Sequence, residues 1–280
     1  MRGRHLVNGR TRRGALLATF TAVLALGAVT PAGAASTAAR RPAPLTILVT
    51  NDDGVAAPGI DALVEALRAD RRNRVVVVAP ADNKSGSGGR STPGGAPGGP
   101  ATTASGYAAT AVQGYPVDAV DYAFDVQKVT PDVVISGANF GQNLGEIVEV
   151  SGTVGAAREG ARRGVPALAV SAQLGRPDFA TSARLTLDWL RTHRTALVKA
   201  RGKARRKART PLTEIDSINV PTCPDGKNRG LFPTTLAPVG TPGLASTTNA
   251  CDAPPTPPTN DVAAFNAGYA SITPVPVPAG

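Results

Sequence analysis

Four short apolar runs, separated by amphipathic stretches, constrain this chain more than any other feature. Leu45–Thr50 (LTILVT), Arg74–Pro80 (RVVVVAP), Pro131–Ser136 (PDVVIS) and Pro166–Ser171 (PALAVS) are apolar at consecutive positions. Such runs mark strands buried on both faces. Between them the apolar residues fall at helical spacing. Ile60, Leu63, Val64 and Leu67 define one helix, and Val117, Val120 and Phe124 a short second one. A third is expected from about Val154 to Arg163, and a fourth from Asp178 to Thr192 with Phe179, Leu185, Trp189 and Leu190 on its apolar side. Strand–helix alternation of this kind predicts an α/β fold with a doubly wound, mostly parallel sheet. Ile215–Val220 resumes strand character, Pro221–Pro258 is dominated by Pro, Thr, Gly and Ala, and Tyr269–Thr273 is a last short strand. The division that follows is a core over 45–222 and a Pro/Gly-rich C-terminal extension over 223–280.

The first residues read as a processing signal. Arg2, Arg4, Arg10, Arg12 and Arg13 precede an apolar run from Ala15 to Val29, and Ala32-Gly33-Ala34 offers an A-x-A cleavage site. That pattern predicts a secretory signal peptide over 1–34 and a secreted mature protein, and the run is too short and Ala/Gly-rich for a good membrane span. Thr11-Arg12-Arg13 before Leu16 and Leu17 also resembles a twin-arginine signal. Residues 35–44 have the composition of a disordered lead-in.

Removing 1–34 takes away five arginines and no acids, lowering the formal charge from +10 to +5. Nine of the remaining basic residues lie between Arg191 and Arg209, a span without Asp or Glu. The run 199–209 reads as a solvated linker before a polyanion site, so nucleic acid is not an expected partner. The two cysteines, Cys223 and Cys251, suggest one disulfide in an exported protein. His5 leaves with the signal, so His193 is the mature chain's one histidine. Ser-His-Asp hydrolysis and multi-histidine metal sites are therefore hard to build.

The first run ends in Asn51-Asp52-Asp53-Gly54. Taken alone, the pair fits an Asx-turn capping the next helix, which needs one Asp and not two, as well as it fits a metal or catalytic site. In a parallel sheet every strand-to-helix loop emerges on one edge. Ser85 after the second strand, Asn139 and Asn143 after the third, and Ser151 and Thr153 at the next helix start can therefore face Asp52 and Asp53. Asn139 alone could be a turn residue and Ser151 alone a helix cap; the joint pattern carries the inference. Its donors are hard oxygens, which suit Mg²⁺ or Mn²⁺. The free N–H groups of the helix start favour a phosphate, and the combination points to phosphoryl-group hydrolysis. Neither a dinucleotide fingerprint nor a G-x-x-x-x-G-K-[ST] loop is present.

The ordered motifs resemble the SurE family, metal-dependent 5′/3′-nucleotidases named for stationary-phase survival. They are ILVTNDDG (47–54) with Gly59-Ile60, Val78-Ala79-Pro80 with Ser85-Gly86, Pro116-Val117-Asp118, and PDVVISG (131–137) with Asn139, Gly141, Asn143, Leu144 and Gly145. SGTVGAAREG (151–160), Pro166-Ala167 to Ser171, Ile218-Asn219-Val220-Pro221, Gly268-Tyr269 and Ser271-Ile272-Thr273-Pro274 complete the set. The resemblance implies a Rossmann-like core and one divalent ion per subunit, held by Asp52, Asp53, Ser85 and Asn139. It implies that Asp52 or Asp53 also orients or deprotonates the attacking water. Asn51, Gly54, Asn143, Ser151, Gly152 and Thr153 are the residues expected around the phosphate. The implied substrates are nucleoside monophosphates or other small phosphate esters, and the implied assembly is a homodimer or higher.

The chain departs from the family in a Gly/Pro-rich stretch over 86–106, in Val150 where members often carry Tyr or His, and in an extension poor in charged and aromatic residues. The rival readings are a non-catalytic phosphate- or polyanion-binding module and a degenerate SurE-like protein.

Overall fold

Strands that are apolar on both sides need cover on both sides, and the elements are arranged to supply it. The computed structural model describes residues 44–204, 209–223, 227–242, 248–252, 254 and 257–279. The expected signal peptide and all but the last residue of the lead-in lie outside the described residues. In chain order the elements are β1 (Leu45–Thr50), α1 (Pro58–Arg68), β2 (Asn73–Pro80), β3 (Gly98–Thr102), β4 (Ala108–Val112) and α2 (Pro116–Asp121). Then come β5 (Val133–Phe140), α3 (Gly152–Arg162), β6 (Ala167–Ala172), α4 (Phe179–Ala204), β7 (Glu214–Val220), β8 (Leu231–Pro233), α5 (Asp261–Asn266) and β9 (Ala270–Pro276). The nine strands make one mixed sheet in the order β3-β4-β2-β1-β5-β6-β7-β9-β8. β4, β2, β1, β5, β6 and β7 run parallel, while β3 and β9 pair antiparallel with β4 and β7.

The period-2 alternation of β1 assigns its residues to two cores. Ile47 and Val49 pack with Ile60, Leu63, Val64 and Leu67 of α1 and with Leu185, Trp189, Leu190 and Leu197 of α4. Leu48 faces the opposite layer, with Val120 of α2 and Val154, Ala156, Ala157 and Ala161 of α3. Alanine and glycine let α3 lie close to the sheet: a β-carbon at Gly160 would stand 2.7 Å from a Val134 methyl carbon. The fold is thus doubly wound, with helices on both faces.

Two expectations need correction. The long loop expected over 82–106 contains β3, which forms a hairpin with β4. Its anchors are distant in sequence: the Tyr107 hydroxyl donates to the Val75 carbonyl at 3.0 Å, and Thr103 donates to Asp61 at 2.6 Å. The fourth helix runs on to Ala204, because Leu197 and Val198 keep an apolar stripe beneath the basic surface. Arg201, expected in a linker, instead donates to the Pro44 carbonyl at 3.0 Å and meets Asp132 at 3.4 Å. The extension supplies the last strand expected near 269–273 and the expected disulfide. β9 lies between β7 and β8, and Cys223 and Cys251 form a disulfide with a Cα–Cα distance of 5.8 Å. Among the described residues no helix is long and apolar enough to cross a membrane.

Candidate active site

The parallel strands bring the loops after β1, β2 and β5 and the start of α3 to one edge. β1 ends there in a turn whose geometry divides the labour of the NDDG sequence. The Asn51 side chain donates to the Gly54 carbonyl at 2.8 Å, so Asn51 supplies the turn-forming bond and both carboxylates are left for other contacts. Gly54 has φ +104°, and a β-carbon there would meet the Asp82 backbone at 3.2 Å. Among the residues expected around the phosphate, Asn51 and Gly54 therefore shape the turn.

Asp52 is buried against α3. Its Oδ1 accepts a hydrogen bond from the Thr153 hydroxyl at 2.5 Å. Gly152 makes this approach possible, since a β-carbon there would stand 2.8 Å from Asp52 Cβ and 2.7 Å from Ser87 Oγ. Ser151 precedes them as the N-cap, its hydroxyl accepting from the Val154 N–H at 3.1 Å. The amide groups of Gly152 and Thr153 thus open the helix beside Asp52, at the positive end of its dipole. Burial pushes the Asp52 carboxyl up to about 6, the Thr153 hydroxyl opposes the rise, and the neighbouring Asp53 charge adds to it.

Asp53 turns toward β5. Its Oδ2 accepts from the Phe140 N–H at 2.9 Å and its Oδ1 from the Asn83 amide at 3.4 Å. Burial raises its carboxyl as well, and the Phe140 N–H lowers it. Asn83 in turn accepts from the Ser85 N–H at 2.9 Å, which ties the exposed Ser85 to the same cluster. Asn139 stands one residue before Phe140, where the β5–β6 register shifts between Ser136 and Asn139. Its Nδ2 donates to the Gly141 carbonyl at 2.6 Å, while its Oδ1 is buried and has no partner. A buried carbonyl oxygen without a donor is costly in isolation, and it is what a ligand for a hard cation looks like before the ion is counted. Among the described residues no three His, Cys, Asp or Glu side chains are grouped to hold a metal. The residues expected to hold an ion offer two carboxylates, an amide oxygen and a hydroxyl, a chemistry that suits Mg²⁺ or Mn²⁺.

Asn143 takes a different place from the other expected residues. Its Nδ2 donates to Ser171 at 2.8 Å and its N–H to the Asn219 side chain at 2.7 Å, which braces the loop after β5 against β6 and β7. His193 is outside the site, stacked on Trp189 with ring centroids 4.4 Å apart. Three participants were not visible in the sequence. Ser87 is buried beside Asp52 with an unpartnered hydroxyl, Asn83 bridges Asp53 to Ser85, and Asp261 accepts from the N–H groups of Gly145 and Ala237. Only proximity to Ser85 could have pointed to Asn83 and Ser87. Nothing local marks Asp261.

Residues 47–239 match the family model described as survival protein SurE. A Citrobacter koseri protein named 5′/3′-nucleotidase SurE is 39% identical over 248 residues, covering 83% of this chain and 90% of that protein. The Yersinia pestis protein of the same name is 36% identical over 247 residues, with the same coverage of 83% and 90%. Among solved structures, the SurE protein from Aquifex aeolicus superposes with a TM-score of 0.63 at 28% identity, covering 84% of this chain and 94% of the other. The NDDG turn and the SGT helix start both lie within the matched residues 47–239, and this chain belongs to the SurE family.

Proposed function

We propose that this protein is a divalent-metal-dependent phosphoric monoester hydrolase that acts on nucleoside monophosphates and works outside the cytoplasm. The observation that carries the reading is the adjacent acid pair at the end of β1, with the buried Asp52 bonded to Thr153 at the start of α3 and Asp53 bonded to the N–H of Phe140, the residue after Asn139, whose Oδ1 is buried without a partner. Asp52, Asp53, Asn139 and Ser85 would hold one Mg²⁺ or Mn²⁺ per chain. Such an ion supplies polarisation of a phosphoryl oxygen and acidification of a water. The protein's own groups do the rest. The N–H groups of Gly152 and Thr153 receive the phosphate oxygens at the helix start. Asp52 or Asp53 orients the attacking water or takes its proton. The water oxygen bonds to phosphorus, the P–O bond to the nucleoside breaks, and the departing oxygen takes up a proton. The products are a nucleoside and inorganic phosphate.

The names of the bacterial relatives support nucleotides as the substrate class. The Arg-rich, apolar leader with Ala32-Gly33-Ala34, and the disulfide between Cys223 and Cys251, support export. Assembly as a homodimer or higher belongs to the same proposal. The test is phosphate release from a panel of esters with Mg²⁺, Mn²⁺ or EDTA. Asp52→Asn is expected to lower kcat at least about a hundredfold. It should leave the metal-free fold as stable at pH 8, because it removes a buried charge. Release that persists in EDTA, or in Asp52→Asn at the original rate, would overturn the proposal.

A further inference from the structure

Six large apolar side chains are exposed among the described residues, and three of them stand at the site: Phe140 at 45%, Leu174 at 42% and Val150 at 58%. Phe140 is the one aromatic ring in that group. Its own N–H donates to Asp53 Oδ2 at 2.9 Å, so the ring is rooted on the residue that touches the carboxylate pair, and its side chain remains open to solvent. Phe140 pairs with Ala172 in the β5–β6 register, and Leu174 follows two residues later. Leu174 is held in place by its N–H donating to Gln142 at 2.9 Å, and its Cδ1 lies 3.7 Å from where a side chain at Gly141 would begin. Val150 immediately precedes the Ser151 cap. Large apolar side chains left open to solvent are unfavourable unless something covers them, and Phe140 stands one hydrogen bond from Asp53.

We infer that Phe140 is a stacking platform for the ring of the leaving group, so that the site selects phosphate esters of aromatic or heteroaromatic alcohols and nucleosides over aliphatic ones. This rests on the phosphomonoesterase reading and deepens it. A nucleoside monophosphate carries its ring one sugar away from phosphorus, and Phe140, whose backbone bonds Asp53 and whose side chain is exposed, offers an aromatic surface for a base to cover. Every base has a π-face, so the platform gives ring selectivity without base selectivity. Leu174 adds apolar area next to it.

The test has two arms. In the first, kcat/KM is compared for AMP and for β-glycerophosphate. Phe140→Ala should lower the AMP-to-glycerophosphate ratio about tenfold, as expected for the loss of one base–aromatic stack, with the change carried by KM. Phe140→Trp should restore the ratio. In the second, adenosine binding is measured by calorimetry; it has the ring without the phosphate and needs no turnover, so it separates this inference from the catalytic one. Affinity should fall about tenfold in Phe140→Ala. An unchanged ratio, equal adenosine affinities, or a change only in oligomeric mass would overturn the inference. The last result would assign Phe140 to a contact between copies.

Discussion

Replacing Thr153 by Val removes a single donor from a buried carboxylate while keeping the shape of a fully buried side chain. Thr153 Oγ1 is 2.5 Å from Asp52 Oδ1. Asp52 is held at about 6 against an ordinary value of 3.8, burial being the main cause. A carboxyl raised in the fold stabilises it while protonated, so the contribution is complete below about pH 3.8 and lost as pH rises through about 6. The Thr153 bond opposes that loss because it is charge-assisted once Asp52 ionises, worth roughly 1.5–3 kcal/mol against about 1 kcal/mol for a neutral bond. Thr153→Val should therefore raise the Asp52 carboxyl by about one further unit, equivalent to about 1.4 kcal/mol. Urea unfolding in EDTA at pH 4.5 and pH 8 reads this directly. Thr153→Val should cost about 1–2 kcal/mol more at pH 8 than at pH 4.5, and Thr153→Ser, which keeps the hydroxyl, should show no such difference. Equal costs at both pH values would refute the coupling between the helix start and the acid pair.

Three further predictions concern the frame of the fold. A β-carbon at Gly155 would stand 2.0 Å from the Gly88 carbonyl, so Gly155→Ala should cost about 2 kcal/mol or more by thermal unfolding. Gly202→Ala, with nothing within 4 Å, should instead stabilise by up to about 1 kcal/mol. Reducing the disulfide across its separation of 28 residues should cost roughly 3 kcal/mol, lowering Tm by about 6–12 °C for a chain this size.

The interior of the sheet was legible because consecutive apolar residues such as Ile47, Leu48 and Val49 have no other economical use. The edge holding the acid pair followed from it, since parallel strands send their loops the same way. What the local pattern hid was held by distant partners. β3, with the sequence GGPAT, has no apolar alternation, and Gly98 is there because the Tyr122 ring leaves no room for a β-carbon, 2.9 Å away. The end of α4 was obscured by its basic residues, although Leu197 and Val198 continue the buried stripe. The division of roles in NDDG was also invisible locally, because Asp53 finds its partner at Phe140 and Asp52 finds its partner at Thr153. Chain separation of that size leaves no periodic trace.

Under the proposed function, Asp52, Asp53 and Asn139 hold a divalent ion that hydrolysis requires. The most direct test is a titration of the EDTA-treated, dialysed protein with Mn²⁺, in which bound ion and phosphate release from AMP are followed together. Release should rise in step with one ion bound per chain, and Asp52→Asn and Asn139→Ala should weaken both at once. Full release from the metal-free protein, or tight stoichiometric binding that survives both substitutions, would contradict it.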